Sequence, residues 1–133
     1  MANTYKFKGV ALATASETSL LTASSNETLI LKSIRVTNNT GNTPTFSLDV
    51  LDSSQSNTEY TILKTQSLTA NTTIELLTMP LVLESLDQLK ATVSSTDSIH
   101  IGISYLNIFC FLNQCFLFNV EFICSMFASC TDN

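Results

Sequence analysis

The sequence predicts an all-β protein, an antiparallel β-sandwich of about eight short strands. Three observations carry this. Apolar and polar residues alternate, most clearly at Leu89, Ala91 and Val93 and then at Ile99, Ile101, Ile103 and Tyr105; this period of two marks strands with one buried and one wet face. The connections are short and rich in Ser, Thr and Asn, which leaves no room for the helical crossovers of a parallel sheet. No stretch before residue 106 shows helical periodicity. A jelly roll and an immunoglobulin-like sandwich both fit, and the pattern does not fix the strand order.

The strand at Tyr5–Leu12 comes first, followed by a small polar connection and a short strand at Leu20 and Leu21. From Glu27 to Asn38 the pattern is stronger: Ile30, Ile34 and Val36 share a parity with Lys32, so Lys32 is expected at an edge or a bulge. Asn38 to Pro44 is a loop of turn residues. Phe46, Leu48 and Val50 then alternate inward, with Thr45, Ser47 and Asp49 outward. A polar loop spans Asp52 to Thr58, and the following strand sets Tyr60 and Ile62 on one side. Ala70 and Asn71 turn the chain into a strand with Ile74 and Leu76, and Pro80 marks a break before Leu81 and Leu83. Glu84 and Asp87 read as a polar corner leading into the Leu89 strand rather than as a carboxylate pair or calcium ligands.

The body is assigned to residues 1–106, and a segment of different composition to 107–133. A body of roughly 105 residues buries a single core, removing about 60 to 70% of its unfolded surface from water. All four cysteines and six of the eight phenylalanines lie in the second segment. Residues 105–127 are long and apolar enough to cross a bilayer, with Glu121 the one charge. No Lys or Arg flanks them, and Asn107, Gln114 and Glu121 recur every seven residues, which suits packing against an apolar surface better. A membrane role is therefore expected only through this extension. The N-terminus lacks a basic region followed by an apolar one, so no signal peptide is read there. Sequons at Asn26, Asn38 and Asn71 are expected by chance in a chain so rich in Asn and Thr.

Charge and chemistry narrow the function by exclusion. A net charge of −5, from 6 basic against 11 acidic residues, gives no basic stripe to displace counterions from a nucleic acid, so no nucleic-acid partner is expected. The cysteine spacing matches no paired zinc motif, and the chain has one histidine, His100, on the solvent parity of its strand. No GxSxG, HExxH, phosphate loop or dinucleotide fingerprint occurs. No enzyme, metal or cofactor is expected. Tyr5, Tyr60 and Tyr105 read as core residues, and Trp is absent, which disfavours an aromatic sugar platform.

Four phrases, in order, carry a resemblance. They are Val36-Thr-Asn-Asn-Thr-Gly-Asn-Thr-Pro-Thr-Phe-Ser-Leu48, Glu59-Tyr-Thr-Ile-Leu-Lys64, Leu68-Thr-Ala-Asn-Thr-Thr-Ile-Glu75 and Pro80-Leu-Val-Leu-Glu-Ser-Leu-Asp-Gln-Leu-Lys-Ala91. Together they resemble small β-sandwich structural proteins of tailed bacteriophages, marine cyanophages especially, over residues 5–108. The corner of that pattern has a glycine where this chain has Leu86, so the turn is expected to form without a free positive φ. The pattern has no counterpart to the extension. The resemblance implies a non-enzymatic virion component of head, neck or tail, acting as a multimer and binding other virion proteins. The candidate contact loops are Asn38, Asn39, Thr40, Gly41, Asn42 and Thr43, and Ser53, Ser54, Gln55, Ser56 and Asn57, since loops on a rigid scaffold and free strand edges make such contacts. The alternatives are a glycan- or receptor-binding β module and a membrane-associated protein anchored by residues 105–127.

Overall fold

The computed structural model describes residues 3–111 and 114–115. They form β1 (Asn3–Leu12), β2 (Thr18–Thr22), β3 (Glu27–Asn38), β4 (Thr45–Asp52), β5 (Thr58–Ser67), β6 (Thr73–Glu75), β7 (Leu81–Leu83), β8 (Gln88–Val93), β9 (Ile99–Phe111) and β10 (Gln114–Cys115). One short 3-10 turn at Ser53–Gln55 interrupts the β4–β5 connection. Two antiparallel sheets face one another as a sandwich. The larger has the order β1-β9-β3-β6, with β7 also on β3 and β10 on the end of β9; the smaller has the order β2-β8-β4-β5.

The inner faces supply the core. Phe46, Leu48 and Val50 from β4 and Leu89, Ala91 and Val93 from β8 meet Leu29, Leu31, Ile34 and Val36 from β3 and Ile99, Ile101 and Ile103 from β9. Each strand alternates because successive side chains leave opposite faces of the pleat. The parity of β4, β8 and β9 is as the sequence predicts.

On β3 the expected parity holds for only half the strand. Leu29 and Leu31 are buried, and Ile30, set opposite Leu106, points outward. The register against β9 shifts between Leu31 and Ser33, so Lys32 is the extra, exposed residue of a bulge. The bulge resets the alternation, and Ile34 and Val36 return to the core.

The corner between β7 and β8 also departs from expectation. Leu86 takes φ 70 and fills the left-handed position that glycine would hold at no cost. Neighbouring bonds force it. Leu86 N–H donates to the Ala23 carbonyl (3.0 Å), and Asp87 N–H donates to the Glu84 carbonyl (3.0 Å). The buried Asp87 carboxylate accepts from the Glu84 N–H (3.0 Å), the Ser53 N–H (2.9 Å) and the Ser53 hydroxyl (3.2 Å). Asp87 is thus the pin of a polar corner that ties three connections together.

The boundary expected at residue 106 falls inside β9, which pairs with β3 as far as Phe109 and with β10 through Cys110 and Phe111. Asn107 and Ile108 are buried. The first seven residues of the apolar span 105–127 are therefore strand residues. The rest of the extension, apart from β10, lies outside the described residues.

Candidate interaction surface

The two predicted contact loops flank β4, one at each end, so roughly 25 Å of strand separates them. They cannot act as a single patch. At one end, Asn38 is buried and builds its loop from within. Its Nδ2 donates to the carbonyls of Asn42 (2.8 Å), Leu68 (3.1 Å) and Thr69 (3.3 Å), and its Oδ1 accepts from the Thr40 N–H (3.0 Å) and hydroxyl (2.8 Å). Asn38 is therefore scaffold, while Asn39, Gly41, Asn42 and Thr43 are exposed and Thr40 is half-buried. Asn42 Nδ2 also donates to Asp97 Oδ1 (2.8 Å), coupling this loop to the β8–β9 turn. Hydrogen bonds from Ser95 and then Asn42 hold the Asp97 carboxyl below its usual range.

At the other end, Ser53 is half-buried against the Asp87 corner, and Ser54, Gln55, Ser56 and Asn57 are exposed. Asp52 Oδ1 accepts from the Ser54 N–H (3.0 Å) and hydroxyl (2.6 Å), which caps the 3-10 turn. Ser56 and Asn57 both have positive φ, 58 and 59, and carry the chain round into β5.

The sequence reading missed the two long edges. β1 closes one side of the larger sheet and β5 one side of the smaller. Tyr5 is 74% exposed, Phe7 71%, Tyr60 49% and Ile62 45%. Tyr5 and Tyr60 are thus surface residues, not the core residues that alternation predicts, because nothing in the opposite sheet covers the outermost strands; Tyr105 is half-buried as expected. Lys6 and Lys8 gave a signal: they share a face with Val10 and Leu12, and inward-leaning lysines mark an edge.

Phe7 lies across a glycine pair. Gly9 and Gly102 are direct cross-strand partners, and a Cβ on Gly102 would stand 2.9 Å from Phe7 Cε1. Missing side chains therefore make room for the ring, and its upper face remains open. Beside it a shallow groove of about 630 Å³ runs over Gly102 between Arg35, Thr37, Thr73 and His100. Thr37 and Thr73 are linked by their hydroxyls (2.8 Å), and His100 is exposed, as its parity predicts. Glu75 anchors β6 there. Burial pushes its carboxyl up, but the Ser33 hydroxyl, the N–H groups of Ile34 and Leu77, and Arg35 together hold it below its usual 4.5.

At the mouth between β1 and β2 a second hollow of about 360 Å³ is lined by Lys6, Lys8, Glu27, Tyr105 and Asn107. Asn107 Nδ2 donates to Glu27. Burial, and then the Glu27 charge, raises the Tyr105 phenol above its usual range. Among the described residues no cluster of three His, Cys, Asp or Glu side chains is placed to hold a metal, and no helix is long and apolar enough to cross a membrane.

No family model matches the chain, and no curated protein matches its sequence. Solved structures do match its fold. A chain of the T13 IBDV viral particle superposes with TM-score 0.55 at 11% identity, covering 80% of this chain and 31% of that one. A chain of infectious bursal disease virus Gx strain superposes with TM-score 0.51 at 11% identity, covering 79% and 32%. This chain spans about a third of the length of each. An endo-1,4-β-D-xylanase 10B of Clostridium thermocellum, comprising CBM22-1 and GH10 modules, matches at 17% identity with TM-score 0.42, over 76% of this chain and 25% of that one, a superposition too loose to bear on function. These likenesses establish the all-β sandwich and carry no chemistry with them.

Proposed function

We propose that this chain is a non-enzymatic structural protein of a virion, docking onto other virion subunits through its strand edges and loop tips. One observation carries the reading: β1 is a ten-residue edge strand, exposed from Asn3 to Gly9, with Tyr5 and Phe7 standing free on one face. An edge left this long and apolar pairs with another chain unless something covers it. The likeness of fold to chains of viral particles supports the same reading, as does the ordered run of phrases resembling tailed-phage proteins. Within that reading the protein belongs to the head, neck or tail of a tailed bacteriophage and works as a multimer. Its rigid, hydrogen-bonded ends hold Asn39–Thr43 and Ser54–Asn57 in fixed shapes for contact.

The test is incorporation. A variant with Tyr5→Asp and Phe7→Asp is expected to fold, since both side chains are exposed, and to be lost from purified particles. Undiminished incorporation of that variant, and of one with both loop tips replaced, removes the reading.

A second reading rests on the Phe7 platform. An open aromatic face beside Arg35, His100 and two threonines suits the apolar face and hydroxyls of a sugar ring. Titration with neutral oligosaccharides, followed by NMR at Phe7 and His100, tests it; unmoved resonances retire it.

A further inference from the structure

The two open edges match each other. Align β1 antiparallel to β5 of a second copy, with Tyr5 opposite Ile62 and Gly9 opposite Thr58. Phe7 then meets Tyr60, and Lys8 meets Glu59. The parity is consistent. Lys8 faces inward on its sheet and Glu59 outward, beside Lys90 (3.1 Å), while Tyr5 and Phe7 face outward and Tyr60, opposite the core residue Val50, inward. The outer face of one copy's larger sheet thus continues into the inner face of the next copy's smaller sheet. All four exposed large apolar residues of the two edges come together on one face, and the opposite charges meet on the other.

We infer that copies of this chain assemble head to tail, β1 of one onto β5 of the next, in this register. The inference deepens the proposed assembly role and rests on it. The competing two-fold contact, β1 on β1 centred on Phe7, sets Lys6 against Lys8 of the second copy, and like charges directly opposite are unfavourable. The regular part of β5 also ends where the pairing does: its register against β4 shifts beyond Thr61, and Thr65 has positive φ. The edges lie on opposite sides of the sandwich, so the contact is heterologous and propagates as a ring or a filament.

Sedimentation velocity of the full chain under reducing conditions tests this. The wild type is expected to associate with rising concentration. Lys8→Glu alone and Glu59→Lys alone should each shift the onset to about tenfold higher concentration, by turning a cross-strand attraction into a repulsion. Mixing the two variants should restore association, because each then offers its altered edge a complementary partner. Both positions are exposed, so both variants are expected to fold, and circular dichroism checks that they do. A wild type that stays monomeric overturns the inference. So does association indifferent to both exchanges, the behaviour expected of contacts through β5 alone or through residues 110–133. Neither result touches docking onto other virion proteins, which the incorporation assay reads separately.

Discussion

Replacing Asn38 by alanine removes five hydrogen bonds from one end of the sandwich. Three of the orphaned groups, the carbonyls of Asn42 and Thr69 and the Thr40 hydroxyl, belong to exposed or half-buried residues and can turn to water. Two cannot: the carbonyl of Leu68, a residue 2% exposed, and the Thr40 N–H, which points inward at the vanished oxygen. A buried polar group left without a partner costs about 1 to 3 kcal/mol. The expected loss is therefore about 3 kcal/mol. With a urea dependence of about 1.5 kcal/mol per molar, the unfolding midpoint should fall by about 2 M. Asn38→Asp sharpens the test. It keeps the acceptor for Thr40 but turns a second oxygen toward three carbonyls, so the buried carboxylate has its pKa raised. The folded state then binds more protons than the unfolded one, and this variant should gain stability as pH falls, opposite to ordinary acid denaturation. Urea titrations at neutral and mildly acidic pH measure both effects. A midpoint shift for Asn38→Ala of less than about 0.7 M, or an Asn38→Asp stability that does not rise on acidification, would refute the view that this amide holds the loop.

Other expectations follow from the same contacts. Leu86→Gly should stabilise the protein by up to about 1 kcal/mol, because relief of the left-handed strain exceeds the added freedom of the unfolded chain; a lower urea midpoint contradicts this. Glu75 has a lowered folded pKa, so its contribution is present above its unfolded value and is lost as pH falls through the folded one; Glu75→Gln should flatten the stability profile below about pH 4.5, and an unchanged profile speaks against the anchor. Gly102→Ala should cost less than about 1 kcal/mol, since the group it displaces is the far end of an exposed ring, yet it should shift the Phe7 ring resonances by NMR; a large loss of stability would show the ring to be pinned.

The core was legible where both neighbours of a strand are present. β4, β8 and β9 each sit between two partners under the opposite sheet, so alternation translates directly into burial. The same pattern misled at β5, where Tyr60 and Ile62 alternate like core residues but stand on an uncovered edge. Periodicity reports a face, not whether anything lies over it. On β3 one bulged residue inverted the parity of Leu29 and Leu31 relative to Ile34, and Lys32 was the visible trace of it. Leu86 was illegible because its backbone angle is imposed by Ala23, Glu84 and Asp87, two of them close in sequence and one far away. The contact loops were recognisable as loops from their turn residues. That they lie at opposite ends of the fold follows from strand order, which composition does not encode.

The central claim, that this chain is a structural part of a virion, is tested most directly by peptide mass spectrometry on purified particles from the source. Peptides from residues 3–109 are expected in stoichiometric amounts with the other structural proteins, and peptides after residue 110 report whether the Cys- and Phe-rich segment belongs to the assembled protein. Absence of body peptides from particles whose other components are fully covered would contradict the claim.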